Sequence, residues 1–315
     1  MVNKCLYCYE QVSNSLGFHE KCSIEFFGTP KPPNLEYSLS QMDELAKNVV
    51  ERSVAVPGVQ PKLSMSLVKK AKEGADSRLT VVGALGGHYI LKPPSDRFPE
   101  MPQNEHVTMR IAEAFGLRVV PSSLIRLASG ELSYITKRVD RLDSGEKVHM
   151  IDMFQITEAF DKYKGSMEKV GKALGSYSSN TLLDKTYYFD LTLFSFLTGN
   201  NDMHLKNFSM IQSSLGWELA PAYDLLNVAI LLPEDSEELA LTLVGKKRKL
   251  NKEHFELFGD ELGLTAIQIR RAFKRLKENK SKALDWIERS FLSDEMKMAY
   301  VEILESRYNQ LGFQE

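Results

Sequence analysis

Cysteine is scarce in this chain of 315 residues: there are three, Cys5, Cys8 and Cys22, all close to the start. An odd number confined to one short stretch excludes a disulfide framework and leaves metal binding or simple packing. Long apolar runs are missing as well; none approaches the roughly 20 residues that span a bilayer. Met1-Val2-Asn3-Lys4-Cys5 has no apolar signal core, so the expectation is a cytoplasmic protein that does not enter a membrane. Neither sign of charge dominates, since 40 Lys and Arg face 42 Asp and Glu for a net charge of −2. That argues against nucleic-acid binding through the chain's own field, although a basic partner can still bring a neutral protein to DNA. Internal repeats and low-complexity segments are absent.

What is present reads as an α+β chain in three parts. Residues 1–30 form a Cys/His-rich head, followed by the stiff connector Lys31-Pro32-Pro33-Asn34. Residues 31–150 carry a helix from Ser40 with an apolar stripe of Met42, Leu45, Ala46, Val49 and Val50. Strands are expected over 62–67, 79–82 and 88–92, a helix over 105–115 ending at Gly116, and a hairpin of 122–127 with 132–137. Residues 151–315 are dominated by helical periodicity, over 166–175, 184–197, 251–262, 265–278, 282–291 and 294–309.

The chemistry concentrates in Thr198-Gly199-Asn200-Asn201-Asp202-Met203-His204-Leu205-Lys206-Asn207-Phe208, directly after the apolar helix that ends at Leu197. Asp202 and Asn207 are five positions apart, the spacing in a protein-kinase catalytic loop, where the Asp accepts the hydroxyl proton and the Asn ligates Mg²⁺. A second acid, Asp224, follows strand-like Trp217-Glu218-Leu219 and suits a hard cation that prefers oxygen ligands. Upstream, Lys92 ends a strand before two prolines, and Glu105 opens the next helix as a partner for it. Each feature has a plain reading: a capped Asn/Asp turn, a solvated strand-end lysine, a glutamate at a helix start. In this order they are those of a kinase, and they predict a two-lobed protein-kinase-like fold with a strand-rich N-lobe and a helical C-lobe. The glycine-rich loop is the misfit, because Val56-Pro57-Gly58-Val59-Gln60-Pro61-Lys62 holds a single glycine.

Other readings remain open. Asp202, His204 and Asp224 could serve a metal hydrolase, but no His-x-x-x-His pair accompanies them. A pseudokinase acting as a binding subunit and a small-molecule phosphotransferase are further alternatives. Cys5-x2-Cys8-x10-His19-x2-Cys22 offers a Cys₃His set for structural zinc, with reduced cysteines packing on Phe26 and Phe27 as the plain alternative. Lys246-Lys247-Arg248-Lys249 is either a solvated turn or a contact to an anionic surface.

Six motifs together resemble the HipA family of serine/threonine kinases. They are Val56 through Lys62, Tyr89-Ile90-Leu91-Lys92, Asn104-Glu105, Lys137-Arg138-Val139-Asp140-Arg141, Thr198 through Asn207, and Ala220-Pro221-Ala222-Tyr223-Asp224. The resemblance implies Asp202 as catalytic base, Asn207 and Asp224 as Mg²⁺ ligands, and Lys92 as a catalytic lysine. It implies ATP lined by Pro57, Gly58, Val59, Gln60, Pro61, Lys62, Lys92, His204, Lys206, Asn207 and Tyr223, with the adenine hinge at Ile151–Met153. It also implies a toxin of a bacterial toxin–antitoxin system, linked to persistence and restrained by a helix-turn-helix antitoxin that supplies the contact with DNA. The substrate implied is an aminoacyl-tRNA synthetase, of the tryptophanyl or glutamyl type. The chain lacks the longer members' N-terminal subdomain and is similar to the short HipT type, in which a small separate subunit replaces it. Regulatory serines on the phosphate loop are implied too, and with Ala55 nearer the glycine, Ser53 is the candidate autophosphorylation site.

Overall fold

The computed structural model describes residues 3–42, 44–45, 62–68, 77–82, 86–142 and 144–313. Residues 39–42 and 44–45 are helical, whereas Ala46, Val49 and Val50 of the expected stripe lie outside the described residues. The chain divides into two compact units.

The strand-rich unit comprises residues 1–106, 120–146 and 289–291. Its head carries helix α1 (Glu20–Phe27), which ends on Gly28 at φ 71°. Its sheet is antiparallel with the order β2-β1-β3-β5-β4, where β1 is Leu63–Val68, β2 Arg78–Val81, β3 Tyr89–Lys92, β4 Ser122–Arg126 and β5 Leu132–Lys137. Alternation decides which side chains turn inward. Leu63 and Met65 of β1, Tyr89 and Leu91 of β3, and Ile135 of β5 are buried and form the core of this sheet. Helix α2 (Met101–Ala114) begins four residues before the expected start. Its second residue is Pro102, which the first turn accepts because an N–H there has no partner inside the helix.

The helical unit comprises residues 107–119, 147–288 and 292–315. A small antiparallel sheet, β6 (Met150–Asp152), β7 (Ser209–Ser213) and β8 (Gly216–Leu219), runs in the order β6-β7-β8. A single turn of helix, α3 (Met153–Ile156), follows β6, and α4 (Met167–Tyr177) follows α3. Helix α5 (Thr181–Leu197) is buried continuously from Tyr188 onward, where its predominantly apolar sequence is interrupted only by Asp190, Thr192 and Ser195. Tyr188 meets Phe208 and Phe258, and Phe189 stacks on Phe258 and meets Phe273 edge-on.

Those rings come partly from α6 (Lys252–Glu261) and α7 (Ala266–Glu278), which precede α8 (Lys280–Arg289) and α9 (Asp294–Gln310). Helices α6 and α7 start with capping boxes, Asn251 with His254 and Thr265 with Gln268. Among the described residues no helix is long and apolar enough to cross a membrane.

Candidate active site

The Asp202 loop is built from the end of α5. Thr198 stops the helix, with both its N–H and its Oγ1 donating to the Phe194 carbonyl at 2.9 Å. Gly199 then turns left-handed at φ 67°, and a Cβ there would stand 2.7 Å from Asn227 Oδ1 and 2.9 Å from Ile303 Cγ2. Its carbonyl accepts the N–H groups of Val228 and Ala229, both at 3.0 Å. Only glycine meets the backbone angle and the space together. The Asn200 N–H donates to the Ser195 carbonyl at 2.8 Å. Asn201 Nδ2 donates to Asp235 Oδ2 at 3.2 Å and to the Glu237 carbonyl at 3.1 Å. The loop is therefore held on both flanks before it presents Asp202.

Asp202 and Asn207 are joined through the backbone. The Asp202 carbonyl accepts the His204 N–H at 2.8 Å and Asn207 Nδ2 at 3.1 Å across a 3-10 turn (Leu205–Asn207). The latter bond engages the Asn207 amide nitrogen, and Oδ1 is the amide atom whose chemistry suits a cation. His204 Nδ1 accepts the Lys206 N–H at 3.3 Å, and its ring meets Tyr163 edge-on at 5.1 Å. The Tyr163 hydroxyl donates to Asp202 Oδ1 at 2.8 Å. Burial and the adjacent Asp202 charge both raise the Tyr163 pKa, so this hydroxyl remains a donor.

Asp224 arrives from the other side, beyond β8, with a left-handed backbone at φ 61°. Asp is one of the few residues with a side chain that visits this region. The preceding Ala222 is fixed by donation of its N–H to the Arg118 carbonyl at 2.7 Å. Tyr223 links the two loops, because its hydroxyl donates to the Lys206 carbonyl at 3.0 Å and shares a 2.6 Å hydrogen bond with Ser209. Burial, reinforced by the charges of Asp224 and Asp152, pushes the Tyr223 pKa up.

Asp152 lies inside the expected hinge segment Ile151–Met153, but sequence reasoning gave its carboxylate no role. It caps α3 through Oδ1, which accepts the Gln155 N–H at 2.8 Å, and it pairs with Ser209 in the β6–β7 ladder. Burial raises its pKa against the lowering charge of Lys206. Ile151 pairs with Met210, while Met153 is buried and donates its N–H to the Phe208 carbonyl at 2.8 Å. Lys206 is exposed, with Nζ 4.8 Å above the Phe154 ring.

In the strand-rich unit, Lys92 and Glu105 form a buried ion pair at 2.5 Å. Lys92 Nζ also lies 5.3 Å from the centre of the Tyr134 ring, its partner in the β3–β5 register. Lys62 is exposed just before β1. Ser53, Pro57, Gly58, Val59, Gln60 and Pro61 lie outside the described residues.

Among the described residues, the one compact set of His, Cys, Asp or Glu ligands is Cys5, Cys8, His19 and Cys22; Asp202, His204 and Asp224 do not form one. The basic cluster is internally engaged: Lys247 pairs with Glu237 at 3.1 Å, Arg248 donates to Ser236, and Lys246 meets His254.

The model of the HipA-like C-terminal domain matches residues 54–284. The chain belongs to the HipA-like family. It is 27% identical over 252 residues to a Haemophilus influenzae protein provisionally named a kinase, covering 73% of this chain and 71% of that one. It is 33% identical over 242 residues to a Sinorhizobium fredii protein with the same provisional description, covering 72% of this chain and 56% of that one. The serine/threonine-protein kinase toxin HipA of Shewanella oneidensis is 28% identical over 206 residues, 59% of this chain and 45% of the toxin. The chain thus spans about half the length of the latter two relatives.

The Shewanella HipA fold, solved with HipB and operator DNA, superposes with a TM-score of 0.68 at 21% identity over 90% of this chain and 75% of that one. The Helicobacter pylori proinflammatory kinase CtkA gives a TM-score of 0.51 at 17% identity over 71% of this chain and 87% of that one. The α+β fold of the HipA-like family is therefore the fold of this chain.

Proposed function

We propose that this HipA-like chain is an ATP- and Mg²⁺-dependent serine/threonine protein kinase acting as a cytoplasmic toxin. The observation that carries the reading is the joining of the Asp202–Asn207 loop to the Asp224 loop. The Asn207 amide is fixed on the Asp202 carbonyl and the Tyr223 hydroxyl on the Lys206 carbonyl. In the proposed reaction Asp202 accepts the proton of the acceptor hydroxyl, and Asn207 and Asp224 would hold Mg²⁺, which would neutralise phosphate charge. Lys92, oriented by Glu105, neutralises phosphate charge, and the segment 57–62 is assigned to the ATP phosphates by its resemblance to the family's phosphate loop. Asp152, His204, Lys206 and Tyr223 complete the surroundings of the nucleotide.

The toxin reading rests on family membership and on the relative named a kinase toxin. By analogy with HipA solved with HipB and DNA, the partner proposed is a helix-turn-helix antitoxin through which the kinase reaches DNA. A small accessory subunit is proposed with it. The substrate proposed is a tryptophanyl- or glutamyl-tRNA synthetase, and Ser53 is proposed as the autophosphorylation site.

Incubation of the chain with γ-labelled Mg²⁺–ATP and each purified synthetase tests this, with phosphosites mapped by mass spectrometry. Label on neither synthetase nor on the chain itself would overturn the kinase reading, and label on the chain only at residues other than Ser53 would overturn the Ser53 assignment alone. Tyr163→Phe tests the site more finely. Losing the donor to Asp202 Oδ1 leaves the base less well oriented, so kcat should fall by about 3–10-fold while KM for ATP holds. An unchanged kcat would remove Tyr163 from the mechanism.

A further inference from the structure

We infer that Cys5, Cys8, His19 and Cys22 form a structural zinc site that holds the N-terminal head on the sheet of the strand-rich unit. The four ligand atoms all lie within 4.8 Å of one another. A zinc tetrahedron with Zn–S of about 2.3 Å and Zn–N of about 2.0 Å has ligand-to-ligand edges of about 3.5–3.8 Å. Cys8 Sγ and Cys22 Sγ stand 3.4 and 3.8 Å from His19 Nδ1, close to those edges.

The backbone is shaped to deliver these atoms. The Cys5 N–H donates to the Glu10 carbonyl and the Tyr9 N–H returns to the Cys5 carbonyl, at 2.8 and 2.9 Å. Tyr9 closes this turn at φ 65°, a conformation that L side chains rarely adopt, and so the thiols of Cys5 and Cys8 converge. His19 is the residue before α1, and Cys22 sits in the first turn of that helix. His19 Nε2 lies 2.9 Å from the Gln11 carbonyl. A donor role for Nε2 leaves Nδ1 bare toward the thiols, the arrangement in which a backbone carbonyl orients a ligating imidazole.

All three cysteines are free thiols, and packing alone does not require a histidine nitrogen aimed at two of them. Four protein ligands leave no open position, so the role is structural and not catalytic. The head so fixed meets the residues behind the Lys92–Glu105 pair. The Leu124 N–H donates to the Leu6 carbonyl at 3.2 Å, and the Tyr9 hydroxyl meets Nδ1 of His106, the neighbour of Glu105, at 2.8 Å.

The test is metal analysis of the full chain purified without chelator, combined with cobalt substitution. One tightly held zinc per chain is expected, released by a mercurial that titrates the thiols. The cobalt form should show thiolate charge-transfer bands and the intense visible bands of a tetrahedral ion. Cys22→Ser should lower zinc occupancy at least tenfold at equal free zinc and lower Tm. His19→Cys, which makes a four-thiolate set, should keep the zinc while changing the cobalt spectrum, and this variant decides the matter if Cys22→Ser fails to fold. Sub-stoichiometric zinc in the wild type, a disulfide between two of the cysteines, or octahedral cobalt without charge transfer would each overturn the site.

Discussion

Asp202→Asn is expected to fold normally and to lose about 10²–10⁴-fold in phosphoryl transfer. The side chain is partly exposed, and its backbone carbonyl, which ties Asn207 and His204, is untouched by the substitution. The loss therefore falls on proton acceptance and orientation of the acceptor hydroxyl. Asp224→Asn should behave differently, because a neutral amide replaces a charged ligand. Affinity for Mg²⁺–ATP falls together with kcat, and added Mg²⁺ restores part of the activity. Asn is also the fair replacement at φ 61°, since it tolerates the left-handed region while Ala would add strain. Labelled phosphate transfer, titrated in Mg²⁺ and in ATP, separates the two effects. Transfer near the wild-type level by both variants would end the assignment of this site.

The second large effect is on the Lys92–Glu105 pair. Lys92→Met leaves the Glu105 carboxylate buried without its cation, and the expected cost is about 3–5 kcal/mol in denaturant unfolding. The double variant Lys92→Met with Glu105→Leu should recover much of that stability, because apolar groups of similar volume replace both charges. Its phosphoryl transfer should stay lost. Recovery of stability without recovery of transfer assigns the pair to chemistry. A double variant as unstable as the single one would show that the two side chains do not couple.

The helical part was legible where local signals were strong. Predominantly apolar sequence up to Leu197 marked α5, and Asn251 and Thr265 mark α6 and α7 by caps that depend on neighbours three residues away. Asp202, Asn207, Asp224 and Lys92 stood out because kinase chemistry demands particular residue types in one order. Tyr163 carried no such mark, for its bond to Asp202 spans 39 positions and leaves nothing local to read. Asp152 sits at the junction of a three-residue strand and a four-residue helix, too short for either periodicity to register. The start of α2 was obscured by Pro102, which is permitted in a first turn for a reason visible only once the helix is known.

Lys4 Nζ donates to the carbonyls of Arg289 and Ser290, 285 and 286 positions away, and Tyr9 meets the Phe291 ring at 5.3 Å. These contacts have a consequence for synthesis. A ribosome builds the head and strands β1–β5 first, but residues 289–291, which complete the same unit, emerge only after the intervening helical unit has been synthesised. The surfaces of Lys4 and Tyr9 therefore wait for most of the message to be read. A nascent chain released before Arg289 carries the Asp202 loop and Lys92 but never finishes this unit, so truncated products are born with its last contacts missing.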